Sequence, residues 1–185
     1  MRKFNNFGEV LYWAFANLNM CIMARQYGFK EYNKYCFIRR EKAFKAYKLG
    51  EWKIGNLWVI NRSKLINGSA FCHYCGCEFK DSSEIAFDHI LPKSKGGSDS
   101  SDNLIAVCKS CNSSKGKKDF LEWFIESNGS FPPLYLYSLY LKLVYYYSVE
   151  NDLLSKHKED LDKMDLPFNY ISIQCPIPQP YYFDV

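Results

Sequence analysis

Two Cys-x-x-Cys pairs, Cys72 with Cys75 and Cys108 with Cys111, constrain this chain more than any other feature of it. Thiols spaced in this way can reach a single ion, and a tetrahedral zinc takes four such ligands at about 2.3 Å. The chain holds eight cysteines, which could also suggest a secreted disulfide scaffold. Their distribution argues against that: four fall in two pairs, whereas Cys21, Cys36 and Cys175 are scattered. Metal binding in a reducing compartment is the better reading. Cys77 offers a competing Cys75-x-Cys77 pair, but Gly76 directly after Cys75 suits a zinc-knuckle turn and favours Cys72 and Cys75. Such a site would tie the start of a hairpin to the start of a helix and replace core that a small module cannot build. Taken alone, it implies no more than a structural zinc ribbon.

The residues between the pairs carry more. They read Asp88-His89-Ile90-Leu91-Pro92, then Gly96-Gly97, Asn103-Leu104 and Cys108-Lys109-Ser110-Cys111-Asn112. From Phe71 to Lys118 this string resembles the HNH family of metal-dependent endonucleases. The resemblance implies an α+β fold with a ββα-metal core (treble-clef-like, a His-Me finger) and a structural Zn2+ on the four cysteines. It also implies distinct roles for the residues between them. Asp88 would be a hard oxygen ligand to a catalytic Mg2+ or Mn2+. His89 would be the general base, its free pKa of about 6.5 suited to taking a proton from water near neutrality. Asn103 would pin the long loop through its amide and hold His89 in place. Asn112 stands where many members have histidine, and its amide oxygen is a donor that magnesium or manganese accepts. Lys115, one turn further along the same helix face, could hold a phosphate, with Lys93 and Lys117 as further contacts; a solvated helix end is the plainer alternative. The activity implied is hydrolysis of DNA, most readily duplex, leaving 5′-phosphate and 3′-hydroxyl ends.

Outside that window the chain must be read from composition and pattern. Hydrophobic residues make up 48% of the 185 and aromatic ones 18%, which argues for a folded protein. Val10 to Ala24 is uncharged, but too short and too polar to span a bilayer. The expectation is an intracellular, cytoplasmic protein with no membrane partner. The net charge of +4 conceals a segregation: residues 1–70 hold 13 basic against 4 acidic side chains, and both later segments are net negative. A basic segment beside a nuclease-like motif points to a polyanion, with Arg39 and Arg40 as candidate DNA contacts. However, Arg39, Arg40, Lys42, Lys45 and Lys48 spread around most of a helical wheel instead of forming one stripe.

Three parts follow: a basic, mainly helical part over 1–66, a nuclease core over 67–128, and an aromatic helical part with a proline-rich extended tail over 129–185. Helices are expected over Val10 to Ala24, Tyr32 to Leu49, from Cys111, and from Phe131-Pro132-Pro133 through Tyr147, with another over Leu153 to Met164. Strands are expected over Leu57 to Ile60, Ile85 to Ile90 and Leu104 to Val107, and a turn at Asn67-Gly68. One catalytic site cuts one strand, so double-strand cleavage would call for a homodimer. The rival in another class is a non-catalytic zinc module that binds nucleic acid. It accounts for the cysteines and the basic segment but leaves Asp88, His89, Asn103 and Asn112 as coincidences. An RNA substrate is a third reading, although no RNA-binding signature is present.

Overall fold

A computed structural model describes residues 2–54, 70–174 and 176–183. The strand and turn expected over Leu57 to Ile60 and at Asn67-Gly68, and the scattered Cys175, lie outside the described residues. The protein is α+β: its described residues form a set of helices with one small two-stranded sheet. It divides into two compact units.

The first unit takes the described residues of Met1–Leu57, Pro133–Met164 and Tyr170–Val185. Helix α1 (Phe7–Gln26) starts where the Asn6 side chain accepts the Glu9 N–H, meeting one of the orphan donors of a first turn. Its apolar residues run all round the helix, and it is buried over most of its length. Helix α2 (Lys34–Lys48) is capped in the same way by Asn33 and packs on α1. Trp13 meets Phe44 edge-on with ring centroids 5.5 Å apart, and Phe15 meets Tyr47 at 6.1 Å. The long aromatic helix from Leu134 to Glu150 lies against α1 in the same unit, with Tyr145 edge-on to Phe15.

The helix expected over Leu153 to Met164 shrinks to a single turn, Lys158–Leu161. The reason is that the backbone here serves α1. Leu154 and Lys156 turn their carbonyls to the Gly8 and Phe7 N–H groups at 2.8 and 2.9 Å, so they cap a neighbouring helix instead of extending their own. Asp152, at φ +54°, breaks the chain just before. The proline-rich tail is fixed at Tyr32, whose hydroxyl donates to Pro178 O at 2.7 Å.

The second unit takes the described residues of Trp58–Pro132 and Asp165–Asn169. Strands β1 (Ile85–His89) and β2 (Leu104–Cys108) pair antiparallel, with Asp88 opposite Ile105 and His89 opposite Leu104. Helix α3 (Lys109–Lys115) follows β2 without a break and packs back on both strands. Gly116, at φ +50°, ends it, as a side chain would be strained there. Helix α4 (Phe120–Asn128) begins with Asp119 accepting the Glu122 N–H and buries Phe120, Leu121, Trp123 and Phe124. The two helices are joined where the Trp123 indole donates to Ser114 Oγ at 3.0 Å.

Candidate active site and thiol cluster

Local backbone chemistry gathers the four cysteines. Gly76 takes φ +74°, closing a turn in which the Gly76 N–H donates to Cys72 O and the Cys72 N–H to Cys77 O. Phe71 and Glu78 pair across this turn as an isolated bridge. Cys108 ends β2 and acts as the N-cap of α3, its sulfur accepting the Cys111 N–H. The ligand atoms of Cys72, Cys75, Cys108 and Cys111 all fall within 4.8 Å of one another, and the Cys75 and Cys108 sulfurs are 3.9 Å apart. Tetrahedral bonds of about 2.3 Å require sulfurs roughly 3.8 Å apart, so the cluster is compatible with a metal such as zinc. Cys77 lies outside that set of four and is exposed.

Asp88 and His89 end β1. Successive strand residues face opposite ways, and the burial follows: Asp88 is 5% exposed, while the His89 side chain is 25% exposed. The Asp88 carboxylate is held through one oxygen. Tyr74 donates its hydroxyl to Oδ2 at 2.6 Å, and the Lys115 ammonium sits 2.8 Å from the same atom. Lys115 also donates to the His89 carbonyl at 2.7 Å. Burial pulls the Lys115 ammonium below its ordinary range, and the Asp88 charge opposes that shift. Burial, reinforced by the same carboxylate, pushes the Tyr74 hydroxyl well up.

On the open side, His89 Nε2 lies 2.8 Å from Asp99 Oδ1. Lys93 pairs with the other oxygen of Asp99, and the Lys93 and His89 bonds together hold that carboxyl below its ordinary range. The loop carrying Asp99 is fastened by Asn103, which is 1% exposed. Its Oδ1 accepts the Leu91 N–H at 2.8 Å, its Nδ2 donates to Leu91 O and Ser98 O, and its carbonyl accepts the Ile90 N–H. Gly97 is needed in that loop because a Cβ there would stand 2.1 Å from Leu91 O.

Of the expected site residues, Asp88 and His89 are joined through Lys115, and Asn103 bonds Ile90, Leu91 and Ser98 in the chain that follows His89. Asn112 lies one turn before Lys115 on α3, half-buried. Lys93 is tied to the cluster through Asp99, and Lys117 is exposed just beyond α3. Lys115 corrects the expectation of a surface phosphate contact: it is 0% exposed and both of its bonds go inward. Arg40 is a second correction. Its guanidinium lies 4.2 Å over the Trp13 ring and donates to Asn17, so it serves the first unit's own packing. Arg39 is exposed. Tyr74 and Asp99 were missed. The only signal for Tyr74 is its place between two cysteines, and Asp99 is one acid in a polar loop.

Residues 72–118 match the family model described as HNH endonuclease. This is the HNH signature. The HNH segment makes up about a quarter of the chain, the quarter that contains the thiol cluster, Asp88 and His89. A stretch of 53 residues, 28% of the chain, is 42% identical to a CRISPR-associated endonuclease Cas9 from Corynebacterium diphtheriae. That stretch spans 5% of the Cas9. No solved structure matches the chain. Among the described residues no helix is long and apolar enough to cross a membrane.

Proposed function

We propose that the protein is a metal-dependent endonuclease that hydrolyses DNA phosphodiester bonds through a ββα-metal HNH core. The observation that carries this reading is the meeting, at the end of β1, of a buried carboxylate and a partly exposed imidazole held at Nε2. His89 would take a proton from water attacking phosphorus, and its bond to Asp99 favours the tautomer with the proton on Nε2 and a free lone pair on Nδ1. Asn103 fixes the backbone on both sides of that step through its bonds to Leu91 and Ser98.

Asp88 and Asn112 are the residues that would hold Mg2+ or Mn2+, and their donor chemistry fits, since both offer hard oxygens. Asp88 already attracts a positive group, the Lys115 ammonium. The bound cation would supply charge stabilisation at the phosphorane and at the departing 3′ oxygen, leaving 5′-phosphate and 3′-hydroxyl ends. The four cysteines would hold a structural Zn2+. Lys117, exposed beyond α3, and Lys93, beside Asp99, are the cations we assign to phosphate in this unit, and contacts to phosphate alone read little sequence.

In the first unit we place DNA contact on the outer face of α2. Of the five basic residues from Arg39 to Lys48, assigning Arg40 to Trp13 and Lys48 to Glu9 leaves Arg39, Lys42 and Lys45. With the exposed Tyr35, Ile38 and Leu49 they share an arc of roughly 120° at about 100° per residue. The stripe absent from the full set of five is present in these three.

The experiment is cleavage. Zinc-loaded protein should nick or cut DNA with Mg2+ or Mn2+, stop with EDTA, and lose activity in His89→Ala without losing DNA binding. Metal-independent binding with no cleavage under any of these conditions would instead establish the non-catalytic zinc module.

A further inference from the structure

The thiol cluster and the buried carboxylate meet at one side chain. Tyr74 lies inside the Cys72-His73-Tyr74-Cys75 turn, and its own N–H donates to Cys72 Sγ at 3.4 Å. The neighbouring His73 N–H donates to Ala106 O, which anchors the turn to β2. The Tyr74 ring is 4% exposed and sits among Phe120, Trp123 and Phe124, with centroids 5.7, 5.0 and 6.3 Å away. A phenylalanine would fill that space equally well, so the packing alone does not call for a hydroxyl. The hydroxyl is spent on Asp88 Oδ2 at 2.6 Å.

We propose that Tyr74 is a positioning residue that couples occupancy of the four-cysteine site to the affinity of Asp88 for its divalent cation. The proposal rests on the reading of Asp88 as a cation ligand. Tyr74 and Lys115 both engage Oδ2, which fixes the plane of the carboxylate and leaves Oδ1 without a hydrogen bond or ion pair among the described residues. When the thiol turn is closed on its metal, the Tyr74 ring and hydroxyl have one position, and Asp88 is held with Oδ1 free. When the turn is open, Asp88 keeps only Lys115 and can rotate about its last torsion. Two sites linked by one oriented bond must influence each other equally in both directions. Partners that orient a metal-binding carboxylate typically change affinity by about 10–100-fold when removed.

The test uses the full chain loaded with zinc. Free Mn2+ is counted by electron paramagnetic resonance during a titration of wild type and Tyr74→Phe, with zinc content and the visible spectrum of the Co2+-substituted thiol site as controls. The expected result is an unchanged zinc stoichiometry and Co2+ spectrum, with a Mn2+ dissociation constant raised about tenfold in Tyr74→Phe. Equal Mn2+ affinity in the two proteins overturns the coupling and leaves the nuclease reading intact. No Mn2+ binding by either protein overturns both. If Tyr74→Phe does not fold, wild-type protein with 113Cd in the thiol site decides. Its cadmium resonance should move as Mg2+ is added, and a resonance that stays still under saturating Mg2+ overturns the proposal.

Discussion

Asp88 is a buried acid with two donors on one oxygen, so removing either donor is costly for what remains. Lys115 contributes the only positive charge in direct contact with it among the described residues. Lys115→Met keeps the length of the side chain and deletes that charge, leaving a carboxylate buried without its counter-ion. A loss of about 3–5 kcal/mol is expected, measured by denaturant unfolding, with part of it recovered on adding Mg2+ if Asp88 binds the cation. A lysine serving only to touch phosphate would give no such loss. The sequence shows why a surface position is the natural expectation: Lys115 stands in a Ser-Ser-Lys-Gly-Lys-Lys run that has every mark of a solvated helix end. Burial of its ammonium depends on where β1 ends in space, and no local pattern encodes that.

At the scale of elements, the loop between β1 and β2 and the helix pair of the first unit make separate predictions. Gly97→Ala forces a Cβ against the Leu91 carbonyl, so the loop must move away from Asn103. The expected cost is about 1–3 kcal/mol by thermal unfolding, with cleavage reduced beyond that because the loop carries Asp99, the partner of His89. In the first unit Glu9 is tied to Lys48 and to Asn5, and these bonds, the Lys48 bond largest, hold its pKa below the ordinary value. A depressed folded pKa means the stabilisation is present above the unfolded value near 4.5 and is lost as pH falls through the folded one. Glu9→Gln should therefore lower stability at neutral pH and narrow its gap from wild type in acid titrations. For α2, replacing Arg39, Lys42 and Lys45 with alanine should weaken binding to all DNA sequences alike. Its salt slope should flatten by about 0.9 for each phosphate no longer neutralised, whereas an unchanged slope would remove α2 from the interface. Periodicity placed α1, α2 and the two described strands close to where they lie. It failed over Leu153 to Met164, where the carbonyls cap a helix distant in sequence, and no local pattern records that.

For the whole molecule, one quarter of the chain carries a family signature, and outside it the sequence shows only charge and aromatic content. Cys72 and Cys75 precede β1, Cys108 ends β2, and Cys111 lies in α3, so one ion would tie both strands and the helix together. Cys72→Ser or Cys111→Ser should lose the metal and lower the melting temperature sharply, while Cys77→Ser should keep it; metal analysis with a melting curve checks both. The central claim is that this arrangement cuts nucleic acid. The most direct measurement incubates supercoiled plasmid with zinc-loaded wild type and His89→Ala, with Mg2+, Mn2+ or EDTA, and follows relaxed and linear forms on a gel. Wild type should convert the plasmid only with the divalent cation, and His89→Ala, still folded and still binding DNA, should do so about 10²–10⁴-fold more slowly. Undiminished cleavage by His89→Ala would contradict the account.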